Sequence, residues 1–351
     1  MKAEIIKDRV LAEKKAINEL YNTGYYGRPK NKGLELTLIE AAYLAYRGKI
    51  DIEHKGKVLD FPGFFKIAST LQPSFELKYI VYKDLRERGF YVQPGVTDFR
   101  VYPRGSHPGK GAAKQFVYVR SERVPMPLKD LLKSLNAAEN VRKQMILAIV
   151  DEESDITFYE VKRPRIKGGM GDLLYPDINT DATFLEDRVI IWDEDASTSL
   201  FENGFYGKPL DKQRLQLSLV ESRYLLDNGV INITDRQDNS MDTDSFTEIA
   251  SKIEPEFYLK NCVYTDLREK GVVPKTGFKF GSHFRVYGKV ESPEKIPHSE
   301  YLVHSIPSDH EFALPVMSRA IRLANSVRKR MLYAIPEDDG IDYIDIGRVK
   351  M

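Results

Sequence analysis

The chain has 351 residues, of which 42% are hydrophobic and 30% charged, and its formal net charge is +1, so we expect a globular chain of two or more domains. Near-zero net charge neither favours nor excludes a nucleic-acid partner, because acidic loops can balance a basic face. Without a run of about 18 apolar residues or a charged-then-apolar start, we expect no membrane span and no secretory signal.

The cysteine content indicates the redox state of the compartment in which the protein works. Cys262 is the single cysteine, which excludes an intramolecular disulfide and a cysteine-rich zinc site. We therefore expect a reducing, cytoplasmic compartment.

The predicted elements alternate between helices and short strands in each half. Amphipathic helices that end at a glycine are predicted at 36–48 (LTLIEAAYLAYRG) and 217–229 (LSLVESRYLLDNG), each followed by a short apolar strand. In the second half another glycine-terminated helix follows at 257–271. Alternating segments then predict strands of one sheet at 272–281, 283–290 and 299–306. A last helix from about Leu314 to Tyr333 and a terminal strand at 340–351 complete the pattern.

The chain repeats itself. Segment 24–52 matches 204–233, VYKDLRERG (81–89) matches VYTDLREKG (263–271), FRVY occurs at 99–102 and 284–287, and NVRKQMILAI (140–149) matches SVRKRMLYAI (326–335). The matches keep one order, which indicates a duplicated unit of roughly 165–180 residues. Two such units predict two homologous halves instead of a solenoid.

The domain organisation follows from the repeat. We predict a first repeat at 1–165, a linker at 166–183 that is rich in Gly, Pro and Asp, and a second repeat at 184–351. The second repeat divides into an N-terminal subdomain at about 184–255 and a C-terminal subdomain at about 256–351. The fold class is α+β, or mixed α/β. Each of the two tandem repeats has a small helix–strand part followed by a mixed sheet flanked by helices.

The last predicted helix carries basic residues opposite an apolar stripe. Its helical periodicity places Arg322 and Lys329 in one column. The apolar stripe on the other side consists of Met317, Ala320, Ala324, Val327 and Met331. Periodicity alone favours an ordinary solvated basic face on this helix.

A family resemblance changes that interpretation. The segments VYTDLREKGVVPKTGFKFGSHFRVYGK, HSEYLVHSI and SRAIRLANSVRKRMLYAI together resemble the archaeal tRNA-splicing endonucleases, in their two-repeat homodimeric form. The resemblance spans nearly all of 184–351 and, through the duplication, extends more weakly over 1–165. It implies a catalytic tyrosine, histidine and lysine, which by motif are Tyr287, His298 and Lys329. It therefore also implies that 184–351 is the catalytic repeat, with a nuclease subdomain at about 256–351, and that 1–165 is a non-catalytic structural repeat.

The resemblance implies a metal-free, cofactor-free cleavage of RNA by the neighbouring 2′-hydroxyl, with 2′,3′-cyclic phosphate and 5′-hydroxyl products. This reaction needs a base, an acid and a cation for the charge that grows on phosphorus. Histidine can be a protonated acid at little cost, whereas a tyrosinate near pH 7 costs about 4 kcal/mol unless nearby cations favour it. We expect Tyr287 and His298 on opposite sides of one phosphate, across a ten-residue loop that contains Pro293 and Pro297.

Other interpretations of single residues remain. A lone tyrosine that ends a strand is usually packing, and a lone histidine is usually neither ligand nor catalyst. His283 and His304 are alternative histidines in the same stretch, although neither stands in the HSEYLV context. Two rival functions also remain, an RNA-binding or assembly subunit without its own activity, and a metal-dependent nuclease.

The first half serves as an internal comparison. It retains Tyr102 and Lys143, but Ala113 aligns with the histidine, and His107 lies too close to Tyr102 to replace it. The segment before FRVY is three residues shorter, and Asn136 stands opposite Arg322. We therefore expect the first half to be catalytically silent.

The resemblance also implies partners. An acidic loop in VDEESDI is expected to dock on a second copy, through Asp151, Glu152, Glu153 and Asp155. The second half has PEDDGID at the same place. The terminal strand, with Tyr343, Ile344, Ile346 and Val349, is expected to pair across a two-fold axis.

The implied substrate is precursor tRNA with a bulge–helix–bulge, which proteins recognise by shape, backbone charge and splayed bases. Arg322 matches the family's arginine that stacks on a bulge base, and Arg348 is the candidate for the second arginine of that sandwich. Lys279 and Arg285 belong to the basic approach to Tyr287. No metal ligands and no membrane association are predicted.

Overall fold

The computed structural model describes residues 1–170, 177–288, 290–292 and 298–351. The chain divides into two compact units. Unit 1 contains Met1–Lys162, Glu311–Ser318 and Arg348–Met351, and unit 2 contains Arg163–His310 and Arg319–Gly347.

The first half of the chain contains twelve described strands and five α-helices. The strands are β1 Lys2–Ile6, β2 Arg9–Ala12, β3 Arg28–Lys30, β4 Gly33–Thr37, β5 Asp51–His54, β6 Lys57–Val58, β7 Val92–Pro94, β8 Phe99–Val101, β9 Gln115–Ser121, β10 Met126–Pro127, β11 Gln144–Val150 and β12 Ile156–Lys162. The helices are α1 Asn22–Gly24, which follows a π turn at Ile17–Tyr21, α2 Leu38–Tyr46, α3 Phe61–Leu71, α4 Phe75–Glu87 and α5 Leu128–Asn140.

The second half repeats this order among its described residues. The strands are β13 Thr180–Leu185, β14 Arg188–Ile191, β15 Lys208–Pro209, β16 Leu215–Leu217, β17 Ile231–Thr234, β18 Ser240–Met241, β19 Val273–Thr276, β20 Phe284–Tyr287, β21 Tyr301–Ser305, β22 Glu311–Phe312, β23 Arg330–Glu337 and β24 Gly340–Val349. The helices are α6 Glu194–Glu202, α7 Leu219–Asp227, α8 Thr243–Ile253, α9 Phe257–Glu269 and α10 Leu314–Ser326, with a 3₁₀ turn at Phe278–Phe280.

The sheets of the two halves have the same strand order. The N-terminal parts form six-stranded sheets, β3-β4-β2-β1-β5-β6 and β15-β16-β14-β13-β17-β18. The C-terminal parts contain the runs β7-β8-β9-β11-β12 and β19-β20-β21-β23-β24, in which neighbouring strands are hydrogen-bonded. The predicted mixed α and β class with two tandem repeats is therefore confirmed.

Local sequence chemistry explains the helix of each N-terminal part. Thr37 begins α2 and Ser218 begins α7 with a capping box, in which the hydroxyl accepts from the backbone N–H of a glutamate whose carboxylate accepts from the cap residue. Both helices precede a glycine with positive φ, Gly48 at 64° and Gly229 at 68°. The helices predicted at these places are confirmed.

A partly buried ion pair joins the N-terminal part of unit 2 to the sheet of its C-terminal part. The Lys275 ammonium on β19 lies 3.1 Å from the Glu221 carboxylate of α7 and donates to the Gly207 carbonyl at 2.9 Å. Burial lowers the pKa of Lys275. Burial alone would raise the pKa of Glu221, but Lys275 and hydrogen bonds from Ser218 and Gly207 outweigh it, so the net shift is downward. Because Glu221 is buried and Lys275 is half-buried, little water screens this pair, which holds the two parts in one arrangement.

Three details of the structure correct the predicted elements. The last helix ends at Ser326 instead of Tyr333, and residues 330–337 form β23. Strand β13 begins at Thr180, inside the segment predicted as linker. Each half also begins with a β-hairpin, β1–β2 and β13–β14, that the sequence analysis did not predict.

Candidate active site

The three predicted catalytic residues lie at one edge of the sheet of unit 2. Tyr287 is the last residue of β20, His298 precedes β21 by three positions, and Lys329 directly precedes β23. Strand β20 runs antiparallel to β21, and β21 runs parallel to β23. The end of β20 therefore meets the beginnings of the other two strands, which brings the three backbone positions together.

Backbone hydrogen bonds extend this edge. The Glu300 N–H donates to the Val286 carbonyl at 3.0 Å, and the Arg330 N–H donates to the Glu300 carbonyl at 3.2 Å. Tyr287 directly follows Val286, and Lys329 directly precedes Arg330. The ladder thus continues to the positions from which the predicted catalytic side chains start.

Lys329 lies in a turn after α10, and not on the helix as predicted. Arg328 has a left-handed backbone (φ 57°), and the Lys329 N–H donates back to the Ala324 carbonyl at 2.9 Å. The predicted column with Arg322 is therefore wrong, because helical periodicity stops at Ser326. The tight turn between α10 and β23, and not a helix face, therefore sets the direction of the Lys329 side chain.

The Lys329 ammonium is held beside the histidine segment. Its Nζ donates to the Ser299 carbonyl at 3.0 Å and lies 5.9 Å from the centroid of the Phe280 ring. Lys329 is 9% exposed and Ser299 is buried. The cation therefore reaches the residue next to His298 from a largely desolvated position, where its interactions with an anion are strengthened.

Tyr287 is 5% exposed and packs in a small apolar cluster. The cluster consists of Met170, Phe205, Val273, Tyr287 and Val290. The Arg285 guanidinium carbon lies 5.9 Å from the centroid of the tyrosine ring. The Arg285 Nε is buried, and no described residue accepts a hydrogen bond from it. A cation thus lies near the tyrosine ring.

The connector between the halves forms one side of this cluster. The Gly168 N–H donates to the Lys270 carbonyl at 2.9 Å, and the Met170 N–H donates to the Gly271 carbonyl at 3.0 Å. The Gly169 N–H donates to the Gly288 carbonyl, directly after Tyr287, at 2.9 Å. The connector is therefore hydrogen-bonded to the strand that ends at the tyrosine.

His298 is exposed, so substrate can reach its ring. The predicted stiffening of the preceding loop concerns Pro293 and Pro297, which lie outside the described residues.

The two alternative histidines do not fit the role of an acid. His283 Nδ1 accepts a hydrogen bond from the Ser305 N–H at 3.0 Å, so that nitrogen carries no proton. Burial lowers the pKa of His283 to about 3, although the carboxylate of the exposed Glu256 lies 3.3 Å from Nε2. The His304 ring centroid lies 4.1 Å from that of His283, with the rings tilted by 38°, and burial lowers the pKa of His304 as well. Both rings are neutral near pH 7, and they lie at the strand ends opposite to Tyr287, whereas His298 is exposed.

The predicted RNA-binding residues can each be placed. Arg322 is exposed on α10, whose buried residues are Leu314, Met317, Ile321 and Ala324. Arg348 is exposed near the C-terminus. Lys279 is exposed on the 3₁₀ turn, while Arg285 is half-buried beside Tyr287. All four roles remain predictions.

The first half keeps the framework of this edge without the histidine. The Lys114 N–H donates to the Val101 carbonyl at 2.9 Å, and the Gln144 N–H donates to the Lys114 carbonyl at 3.0 Å, as at Glu300 in the second half. By this register Ala112, and not Ala113, is equivalent to His298. The conclusion that an alanine replaces the histidine is unchanged.

The remaining candidates of the first half have structural partners. The Tyr102 hydroxyl donates to Gln93 Oε1 at 2.8 Å. His107 stacks on Tyr25 with ring centroids 4.4 Å apart. Burial raises the pKa of Tyr102, which makes its tyrosinate less accessible.

The acidic loop between β11 and β12 is an ordered turn. Asp151 Oδ1 accepts from the N–H groups of Glu153 and Asp155 at 3.0 and 2.8 Å, and Glu152 lies 2.6 Å from the Arg123 guanidinium. Glu153 and Asp155 are exposed. In the second half only Asp338 and Asp339 separate β23 from β24, so the two turns differ in length more than the sequence comparison indicated.

The terminal strand does not offer the expected apolar face. Tyr343, Ile344 and Ile346 are buried within the single chain, and the Tyr343 hydroxyl donates to Asp266 Oδ2 at 2.7 Å. Val349 is half-buried. The prediction that Tyr343, Ile344 and Ile346 pair across a two-fold axis is therefore wrong, because they are already covered.

Among the described residues, no group of three or more His, Cys, Asp or Glu side chains lies close enough to hold a metal ion. In the same part of the chain, every helix is too short or too polar to cross a membrane.

Sequence reasoning missed several residues of the site. Phe280 and Ser299 lie beside Lys329, and Met170 and Phe205 belong to the cluster that contains Tyr287, but the sequence analysis named none of them as site residues. Phe280 lies in the GFKFG segment, where two phenylalanines flank Lys279. This pattern was the sequence signal that could have indicated a role for Phe280 in the site.

Comparison with known proteins agrees with the repeated architecture. Residues 75–158 and 257–343 match the family model of the tRNA intron endonuclease catalytic C-terminal domain. Residues 1–65 and 180–247 match that of the tRNA intron endonuclease N-terminal domain. Each half thus contains one copy of both domains, in the same order.

Curated relatives match along the whole chain. A tRNA-splicing endonuclease of Methanococcoides burtonii is 82% identical over 351 residues, 100% of both chains. One of Methanosarcina acetivorans is 64% identical over the same length, again 100% of both chains. One of Natronomonas pharaonis is 37% identical over 343 residues, 94% of each chain.

These matches define the class of protein as an endoribonuclease of tRNA splicing. The chain belongs to the tRNA intron endonuclease family, with its N-terminal and catalytic domains present in two tandem copies.

Proposed function

We propose that this chain removes introns from precursor tRNA by cutting both strands of a bulge–helix–bulge, without a metal ion. The products are a 2′,3′-cyclic phosphate and a 5′-hydroxyl. The observation that supports this most is the hydrogen bond from Lys329 to the Ser299 carbonyl, which holds a cation next to His298 at the edge where β20 ends with Tyr287.

Each of the three side chains has one role in a displacement at phosphorus, in which the 2′-oxygen attacks and the 5′-oxygen leaves. Tyr287, as tyrosinate, takes the proton of the 2′-hydroxyl, and the 2′-oxygen forms its bond to phosphorus. His298 gives a proton to the 5′-oxygen as the bond from that oxygen to phosphorus breaks. Lys329 stabilises the charge that grows on the phosphoryl oxygens, and a positioned donor of this kind is worth about 10²–10³ in rate.

Tyr287 needs help to act as the base, because its ionisation near pH 7 costs about 4 kcal/mol in water. The Arg285 guanidinium, 5.9 Å from the ring, supplies a favourable charge.

RNA binding is assigned to the basic residues around this edge. Arg322 stacks on a base of the bulge, with Arg348 as the second arginine of the sandwich, and Lys279 and Arg285 bind the backbone. The exposure of Arg322, Arg348 and Lys279 supports these roles.

The two halves divide the work. The repeat at 1–165 is structural, the segment from 166 to the start of β13 links it to the catalytic repeat, and the active form is a cytoplasmic homodimer. The acidic loop of the first repeat, with Glu153 and Asp155 exposed, docks on the partner subunit. Two catalytic repeats related by a two-fold axis then serve the two cut sites.

One experiment tests this proposal against its rivals. Purified protein is incubated in EDTA with an end-labelled bulge–helix–bulge RNA, using wild type and His298→Ala. The proposal expects cuts in both bulges by wild type and a loss of about 10²-fold or more in the variant. Cleavage abolished by EDTA favours the metal-dependent nuclease, and no cleavage by wild type favours an RNA-binding subunit that needs an active partner.

A further inference from the structure

An aromatic side chain stands in solvent on the loop between β19 and β20. Phe278 is 87% exposed, next to the exposed Lys279. Leaving a phenyl ring in water forfeits the roughly 1.5–3 kcal/mol that burial of a large apolar side chain contributes. A ring presented in this way beside a cation is suited to contact a planar, anionic ligand.

The loop that presents Phe278 is held by its own hydrogen bonds. The Phe280 N–H donates to the Gly277 carbonyl at 2.7 Å, and the Gly281 N–H donates to the Phe278 carbonyl at 3.0 Å. At the loop's ends, the Gly277 N–H donates to the His283 carbonyl at 2.9 Å. An ordered loop loses little conformational entropy on binding, which favours the ring as a preformed contact.

The same turn connects this ring to the proposed active site. Phe280, two residues after Phe278, is half-buried, and its ring centroid lies 5.9 Å from Lys329 Nζ. One end of the turn therefore packs beside the proposed cation, while the other end presents Phe278 to solvent.

The silent half offers a direct contrast. Four residues separate β7 from β8, whereas seven separate β19 from β20, so the 3₁₀ turn belongs to the added residues. Val96 is the exposed apolar residue of the shorter loop. The half that has the predicted catalytic tyrosine, histidine and lysine therefore presents the aromatic Phe278. The half that lacks the histidine presents the aliphatic Val96 instead.

We propose that Phe278 binds the substrate by stacking on an unpaired base of the bulged RNA. This rests on the proposed function and adds a specificity-determining contact to it. Because every base has a π face, stacking on a single ring tolerates sequence while requiring that the base be unpaired. Loss of the ring should raise the Kd for bulged RNA about 5- to 150-fold.

The test uses RNA that binds without being cut. A bulge–helix–bulge RNA with 2′-deoxy nucleotides at the cut sites lacks the attacking oxygen, and 2-aminopurine is placed at each bulge position in turn. Wild type should quench the fluorescence at one position by stacking. Phe278→Ala and Phe278→Leu should lose that quenching and bind more weakly, Phe278→Trp should keep it, and Val96→Ala should behave as wild type.

Cleavage of the all-RNA substrate separates the possible failures. If wild type cuts and Phe278→Ala binds and quenches as wild type does, the stacking contact is wrong and the proposed function stands. If Phe278→Ala keeps the quenching but changes the oligomeric state of the protein in solution, the ring belongs to a protein interface and the inference is overturned. If wild type neither binds nor cuts the RNA, the proposed function fails and the contact fails with it.

Discussion

The Lys329 ammonium donates a hydrogen bond to the Ser299 carbonyl at 3.0 Å, which joins the turn after α10 to the segment that carries His298. Replacing Lys329 with alanine removes the proposed cation at phosphorus. We expect the single-turnover rate of RNA cleavage to fall about 10²–10³-fold, with a smaller change in the Kd for RNA.

Lys143 provides the matched control for this variant, because it occupies the equivalent turn of the first half, after a residue with the same left-handed backbone. Lys143→Ala should cut RNA at the wild-type rate. Equal losses in the two variants would contradict the assignment of catalysis to the second half.

The connector should affect the tyrosine through its backbone. A Cβ added at Gly168 would overlap the Gly271 carbonyl oxygen, so Gly168→Ala must displace the segment that carries Met170. We expect a loss of about 1–3 kcal/mol in the free energy of unfolding, as for other overpacked sites. The cleavage rate should also fall under conditions where the variant is fully folded, because Met170 belongs to the buried cluster that contains Tyr287.

Urea denaturation and single-turnover cleavage measure the two effects. Gly95→Ala is the control, because a Cβ there meets only the end of the Arg100 side chain, at 3.2 Å. The role of the connector is refuted if the Gly168 variant is as stable and as active as this control.

Stability should fall on the acid side of neutrality because of His283. Burial holds its pKa at about 3, against about 6.5 in the unfolded chain. Between these values the unfolded chain binds more protons, so the free energy of unfolding decreases as the pH falls. The loss between about pH 6.5 and pH 5 is roughly 1.5 kcal/mol.

A glutamine at position 283 can accept the Ser305 N–H without titrating. Urea denaturation at the two pH values should therefore show a smaller loss of stability in His283→Gln than in wild type. Equal losses would mean that His283 is protonated in the folded protein.

The acidic loop should strengthen the proposed homodimer through charge. The double variant Glu153→Gln/Asp155→Asn removes two exposed charges worth about 0.2–1 kcal/mol each, so the dimer Kd should rise roughly 2- to 30-fold at low salt. The difference should shrink as salt rises. Analytical ultracentrifugation measures both, and Asp338→Asn/Asp339→Asn is the control; an unchanged Kd in the first variant would remove the docking role.

The sequence analysis predicted those helices that end at a glycine and those strands whose side chains alternate between apolar and polar. The helices that became α2, α7 and α9 were found because an apolar period ends at a glycine. The catalytic strands β19, β20 and β21 were found because their side chains alternate. These local rules place Tyr287 inside the predicted strand 283–290, whereas the structure ends β20 at Tyr287.

The errors fall where the chain turns without glycine. Arg328 adopts a left-handed backbone, so the helical period of its neighbours continued past the true end of α10. The hairpins at the start of each half turn at Lys7 and Glu186, which are also left-handed residues other than glycine. Such residues are costly in this conformation, and the fold imposes it through contacts that are distant in sequence.

The contacts of the site were beyond local patterns for the same reason. Met170 meets Tyr287 across more than a hundred residues, and Lys329 meets Ser299 across thirty. Neither pair shares a helix face or a strand alternation. Only the assembled sheet determines which side chains lie at its edge.

The division of roles between Tyr287 and His298 is tested most directly by a substrate whose leaving 5′-oxygen is replaced by sulfur. Sulfur leaves without a proton, so the account predicts that this RNA restores cleavage by His298→Ala by about 10²-fold or more, while Tyr287→Phe stays slow. Rescue of Tyr287→Phe instead, or of neither variant, would contradict the assignment of His298 as the acid.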